Sequence, residues 1–408
     1  MHRRTFLHIL GLGALGLTTG GEVERGRGDM IPGNTTTSNE NINLFLCGDV
    51  MTGRGIDQIL PHPSHPRIHE GYLKSAADYV EIAEQVNGPI ARPVSFDYIW
   101  GNALTEFQRL DTDLRIINLE TAVTTSEAYW PGKGINYRMH PKNMPCLTAA
   151  RIDACVLANN HVLDWGYDGL LETLKSLEAA GIIIAGAGHE SVQAEAPAIF
   201  ELPGKGRVLL FAFAHQSSGV PGKWQAEPRR PGVALLEELS EDEVARVARR
   251  ISMLKRPGDL VLFSIHWGGN WGYQIPSEQR QFAHWLIDRA GVDIVHGHSS
   301  HHPKGIEIYH ERPIFYGCGD FLNDYEGISG HETFRDDLTL MYFVTMEPRS
   351  GRLLNLTMTP LQIRKFRLHY PTEQDRNWLQ QTMDRECAPL GTGVTKLLHG
   401  RFGLDIRS

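Results

Sequence analysis

Residues 153–185, DACVLANNHVLDWGYDGLLETLKSLEAAGIIIA, set an apolar run, a polar block, a helical periodicity, a glycine and a second apolar run in that order. The runs 153–158 and 182–185 have the length and composition of buried strands. Between them, residues 169–180 (GLLETLKSLEAA) repeat leucine at helical spacing, and Gly181 follows as a C-cap. Strand, helix, strand is the unit of a layered α/β fold. Similar apolar runs stand at 43–47, 114–117, 207–213, 260–265, 292–295 and 313–316, with helical periodicities at 241–254 and 279–290, the second closed by Gly291. Runs 338–346 and 353–366 have no helix between them and predict an antiparallel edge or second sheet. Residues 58–109, with the loop PHPSHPRIHE and a predicted helix near 75–85, read as an insertion after the first strand, a lid or specificity element.

The 408 residues are 41% hydrophobic and 22% charged, which excludes a disordered chain and leaves enough apolar surface for a full core. Forty Lys+Arg against 48 Asp+Glu leave a net charge of −8, so binding of nucleic acid through a general basic surface is not expected. Five scattered cysteines show neither a disulfide framework nor a thiolate zinc motif. Residues 1–21, MHRRTFLHILGLGALGLTTGG, place Arg3 and Arg4 before a glycine-diluted apolar stretch, the pattern of a twin-arginine-like export signal. The expected location is therefore periplasmic or cell-envelope. Residues 22–41 read as a linker, 42–370 as the main domain and 371–408 as a C-terminal extension.

Five apolar runs end directly in residues able to bind metal, and an α/β sheet gathers its ligands at strand ends. In LFLCGDVMTGRG, Gly48 permits a sharp turn, Asp49 follows as a candidate bridging carboxylate, and Arg54 is suited to meet an anion. Taken alone, this is also an ordinary Gly-Asp turn. IINLETAV brings Asn118 and Glu120 out of a strand, where Glu120 reads as a ligand or as a helix cap. VLANNHVLDWG sets Asn160, a neutral oxygen ligand, beside His161 and Asp164, an acid and the group that orients it. LVLFSIHWGGNWGY ends a strand on His266, while Trp267 and Trp271 read either as walls of a substrate pocket or as core aromatics. VDIVHGHSSHHPKG concentrates His296, His298, His301 and His302 beyond a Val-rich strand. A set of Asp, Glu, Asn and His without cysteine suits Mn, Fe or Zn. The usual device with such ligands is a pair of divalent cations that activates water for hydrolysis of a phosphoester or similar bond.

The ordered blocks GDVMTGR, NLET, ANNHVLDWG, HWG and GHSSH, then KGIE and YGCGDFLND, resemble the CapA-like capsule-biosynthesis proteins, the poly-gamma-glutamate branch of the calcineurin-like metallophosphatase superfamily. The resemblance spans roughly residues 44–324 and implies an α/β/β/α sandwich with its metal centre at strand ends. Carried over position by position, it implies Asp49, Glu120, Asn160, His266, His298 and His301 as metal ligands. It also implies His161 as proton donor steadied by Asp164, and Arg54 facing a substrate anion. Met51 stands where the wider superfamily has a histidine, Glu120 where it has an aspartate, and His298 and His301 are three apart rather than two.

The reading is an exported metal-dependent phosphoesterase-like hydrolase of capsule or cell-envelope polymer synthesis, with an anionic polymer or phosphoester as substrate and membrane polymer-synthesis proteins as partners. The alternatives are a non-catalytic metal-binding accessory protein, favoured by Met51, and a metal-dependent hydrolase of an amide bond in an anionic polymer.

Overall fold

A computed structural model describes residues 40–407; the expected export signal and nearly all of the 22–41 linker lie outside the described residues. Why the chain folds in four layers is visible in single strands. In Ile42–Val50, Leu44 and Leu46 enter one apolar core while Phe45 and Cys47 enter another. In Leu260–His266, Leu262 enters the first of these cores, whereas Val261, Phe263 and Ile265 enter a third. Strands apolar on both faces must be covered on both. Two sheets therefore share the central core, and helices close the outer faces, giving the expected α/β/β/α sandwich.

The first sheet has ten strands. Its path runs Thr392–Lys396, Phe402–Ile406, Arg352–Arg364, Leu338–Glu347, Ile42–Val50, Leu114–Leu119, Ala154–Val156, Ile183–Ala185; off it, Asp320–Leu322 pairs with Ile42–Val50 and Arg367–His369 with Arg352–Arg364. The four strands from Ile42–Val50 to Ile183–Ala185 are parallel, and Leu338–Glu347 joins them antiparallel, as the sequence predicts. The seven-stranded sheet is built on the parallel set Gly206–His215, Leu260–His266, Ile294–His298 and Arg312–Phe315. Helix Gly166–Ala179 packs on the first sheet, and Glu241–Leu254 with Ser277–Ala290 on the second. Gly291 caps the last helix in the left-handed region at φ 72°.

Residues 58–109 supply most of the helical cover of the first sheet. Val80 and Ala83 from Ala76–Asn87, Ile99 and Trp100, and Ala103 and Phe107 from Asn102–Arg109 are buried in the same core as Phe45. The segment is thus largely scaffold; Glu70 and Tyr79 bond Arg54, and Tyr72 lines a cavity with Arg54 and His301. Residues beyond 370 are equally integral: helix Glu373–Cys387 buries Leu379, Met383 and Cys387 in the central core, and two further strands extend the sheet. Among the described residues no helix is long and apolar enough to cross a membrane.

Gly48 corrects one expectation. It lies within a strand rather than in a turn, and a Cβ built on it would stand 1.7 Å from the Gly319 carbonyl oxygen. The glycine permits the close passage of a second strand: Asp49 N–H donates to that carbonyl at 3.0 Å, and the register sets Asp49 beside Asp320.

Candidate metal centre

The parallel strands of both sheets deliver their carboxyl ends to one place. Asp49 comes from Ile42–Val50, Asn118 and Glu120 from the end of Leu114–Leu119, and the 159–164 block from the loop after Ala154–Val156. His266 and His298 are the last residues of their strands and stand opposite each other in register. Two groups of buried side chains each bring their donor atoms within 4.8 Å of one another: Asp49, His266 and His298, and Asp49, His301 and Asp320. Asp49 belongs to both.

Each donor is held from behind. Asn118 Nδ2 donates to Asp49 Oδ1 at 2.6 Å, and the Ser299 backbone N–H donates to Oδ2 at 3.1 Å. Ser264 Oγ lies 2.8 Å from His298 Nε2, which leaves His298 Nδ1 facing His266 Nδ1 at 2.8 Å. Asn160 Oδ1 lies 2.9 Å from His266 Nε2, and Glu120 Oε1 lies 3.8 Å from the same nitrogen. His301 Nδ1 meets Asp320 Oδ1 at 2.8 Å, and Asn323 Nδ2 donates to the other Asp320 oxygen at 2.9 Å. Such outer hydrogen bonds set ligand orientation.

Burial and mutual repulsion dominate the electrostatics. Burial, reinforced by Asp320, pushes the Asp49 carboxyl up to about 7, and burial with Asp49 and Asp320 drives Glu120 well above its usual range. Burial holds His266 and His298 well below the usual imidazole value, with His161 adding to the first and His266 to the second. Burial also opposes charge on His301, but Asp320 and Asp49 hold it above the usual value. Three carboxyls packed this closely, without a compensating cation, are costly. Glu120 Oε2 is buried with no hydrogen-bond partner, and the facing imidazole nitrogens share at most one proton. Divalent cations fit both features, because they accept the orphaned oxygen and both lone pairs at once.

Beside these groups stands an acid–base pair. His161 Nδ1 lies 2.6 Å from Asp164 Oδ2, and its Nε2 points toward Glu120 Oε1 at 3.7 Å. Asn159 Oδ1 accepts from the backbone N–H groups of His161 and Val162, both at 3.1 Å, so it shapes the turn that presents the imidazole. Lys133 pairs with Asp164, bonds the Asn160 carbonyl and lies 3.0 Å from His161 Nδ1. Burial pushes His161 down to about 4 against the pull of Asp164, and Lys133 adds to the depression.

All six expected ligands and the His161–Asp164 pair therefore converge. The two expected substrate contacts do not behave as expected. Arg54 is 2% exposed, and its guanidinium is engaged by Asp324, by Glu70 at 3.1 Å and by Tyr79 OH at 2.8 Å, so its charge is spent inside the protein. Trp267 is a core aromatic: 2% exposed, stacked on Tyr316, with Nε1 donating to the Tyr316 carbonyl at 3.0 Å. Trp271 lines a cavity instead, together with His301. His296 is structural and ties the sheets through a 2.8 Å contact with the Cys47 carbonyl; His302 is packed against Trp271, Tyr273 and Phe334. Sequence reasoning missed Lys133 and Asp320. The second left a signal: the tripeptide Cys-Gly-Asp occurs at 47–49 and again at 318–320, and the two copies lie side by side.

Comparison with known proteins agrees with this architecture. Residues 43–325 match the bacterial capsule synthesis protein family PGA_cap. A protein of Mycobacterium tuberculosis named "Probable polyglutamine synthesis accessory protein" is 48% identical over 354 residues, covering 86% of this chain and 93% of the relative. The PGA biosynthesis protein CapA of Bacillus subtilis is 26% identical over 373 residues, 91% of this chain and 84% of the relative. The capsule biosynthesis protein CapA of Bacillus anthracis is 23% identical over 335 residues, 80% and 69% respectively. The chain belongs to the bacterial capsule synthesis protein family.

Proposed function

We propose that this family member is an exported, metal-dependent hydrolase of phosphoester type that serves the synthesis of a capsule or polyglutamate-like polymer. The observation that carries the catalytic part is the shared position of Asp49 between two buried donor sets, with the His161–Asp164 pair alongside. The relatives named for capsule, PGA and polyglutamine synthesis support the polymer context. The export motif at 1–21 supports a site of action in the cell envelope.

Asp49, His266, His298, Asn160 and Glu120 would hold one cation and Asp49, His301 and Asp320 a second. A bound pair supplies Lewis-acid polarisation of an ester oxygen and lowers the pKa of water. The chain's own work is orientation and proton transfer. Asp164, steadied by Lys133, fixes His161 so that its Nε2 faces the site; the imidazolium form, which Asp164 favours against burial, would give its Nε2 proton to the leaving oxygen. Asn159 fixes the backbone turn that carries that imidazole.

The test is metal analysis of the purified chain coupled to hydrolysis of a bis-aryl phosphodiester with and without added Mn. About two metals per chain and Mn-dependent turnover are expected. Metal retained without turnover of either the diester or polyglutamate supports the accessory reading, for which the buried Met51, touched by Tyr325 OH at 3.5 Å, is the specific observation. Depolymerisation of polyglutamate without diester cleavage supports an amide hydrolase.

A further inference from the structure

A cavity of about 160 Å³ opens directly beside His301, walled by Ile135, Trp271, Tyr325 and Ile328, with His331 and Asp336 at its rim. Trp271 lies flat on His331, ring centroids 3.9 Å apart and planes within 8°, and its ring is 5.2 Å from that of His301. Tyr325 meets His301 edge-on at 5.4 Å. The volume is close to the roughly 150 Å³ that admits a single benzene-sized ring. The charge is informative too. Among the described residues lining the cavity, Arg54 is the only one with a guanidinium or ammonium group, and Asp324 and Glu70 already neutralise it. Asp336 adds an acid. A carboxylate-bearing group would enter this cavity without a free cation to meet it, at the cost of desolvation.

We infer that the cavity formed by Trp271, Tyr325 and Ile328 is the subsite for a single uncharged ring, aryl or saccharide, attached to the oxyanion that the metal centre binds. Because Trp271 and His301 share the cavity, a ring in contact with the Trp271 indole lies next to a member of the second donor set. Aromatic walls with a sparse polar rim favour ring faces, through π-stacking or C–H contacts, over extended acidic chains. This inference rests on the proposed metal-dependent hydrolase and narrows its substrate: the group next to the scissile bond is a ring, and any acidic polymer lies farther out.

Binding to the Mn-loaded full chain, measured by calorimetry, tests it independently of turnover. Phenylphosphonate, a glucopyranosyl C-phosphonate and methylphosphonate present the same oxyanion with an aryl ring, a saccharide ring and no ring. At least one ring-bearing probe should bind about tenfold tighter than methylphosphonate, a preference of the size expected for one stacked ring. Whichever ring binds tighter identifies the source. Trp271→Ala should bring the ratio near one, with Mn content as the control for the fold. His331→Ala, at an exposed residue, removes the ring that lies flat on Trp271 and should lower the ratio partway. Equal affinities in the unmodified chain, a preference that survives Trp271→Ala, or no binding of any probe to the Mn-loaded chain would overturn the inference. Failure of the hydrolase reading shows separately, as absent ester turnover with the ring preference intact.

Discussion

Asp49 is the side chain both donor sets need, and its neighbours explain why no other carboxylate replaces it. Asn118 and the Ser299 N–H pin one oxygen each, while the strand register holds Asp320 alongside. Asp49→Asn should therefore reduce metal content from about two per chain to below one, read by plasma emission, and abolish turnover. His161 is a different case: its nearest metal-set contact is the 3.7 Å approach to Glu120, and its Nδ1 is committed to Asp164. His161→Gln should keep the metals while lowering kcat by roughly 10²- to 10⁴-fold, the range of a lost general acid. Unchanged kcat would remove His161 from proton transfer. Arg54 makes an opposite prediction from the one its motif suggests. Arg54→Met would leave Glu70 and Asp324 buried without their cation, a loss of about 3–5 kcal/mol by denaturant unfolding. A stability unchanged within error would return Arg54 to the substrate.

At the scale of elements, the pairing of the two Cys-Gly-Asp segments is what assembles the centre. Gly48→Ala would set a methyl 1.7 Å from the Gly319 carbonyl oxygen, and a backbone oxygen on a paired strand has nowhere to yield. The expected outcome is loss of the second metal together with destabilisation of at least about 3 kcal/mol, the upper range of overpacking. Gly71→Ala, where a Cβ meets nothing within 4 Å, is the control and should change neither. The elements that were legible beforehand are those with local signals: strand runs apolar on both faces, helices closed by Gly181 and Gly291, and strand ends bearing Asp49, Asn160, His161, His266 and His298. What escaped was decided by closeness in space between residues remote in sequence. Asp320 sits 271 residues from Asp49, and only the tertiary register reveals that the repeated tripeptide is one structure. Lys133 stands in a polar loop with no periodicity, and its value lies wholly in where that loop lands beside Asp164. Arg54 and Trp267 read differently in the structure because a sequence shows the donor but not its partners: Arg54 lines the cavity beside His301 with its charge taken by Glu70 and Asp324, and Trp267 is packed in the core.

Across the whole molecule, the C-terminal segment closes the fold on itself, and Glu106 is the knot. Its carboxylate, 2% exposed on helix Asn102–Arg109, accepts from Tyr370 OH at 2.7 Å, Arg401 Nε at 3.0 Å, Thr359 Oγ1 at 3.1 Å and Arg109 at 3.0 Å. One acid thus joins the helical layer, the long strand Arg352–Arg364 and the terminal hairpin. Burial opposes its charge, but Tyr370 and Arg401 outweigh burial and hold Glu106 below the usual carboxylate range. The sign follows from linkage. A depressed folded-state pKa contributes stability that is fully present above the unfolded value of about 4.3 and is lost as pH falls through the folded value. Denaturant unfolding between about pH 6 and pH 3 should show a steeper acid-side fall for the unmodified chain than for Glu106→Gln, since the amide carries no proton linkage. The comparison must be a difference between the two proteins, because the metal centre titrates in both. Parallel curves would mean that Glu106 is held no more tightly in the folded chain than in the unfolded one. In that case the hairpin would be anchored by its pairing with Arg352–Arg364 and by Val394 and Phe402 in the central core.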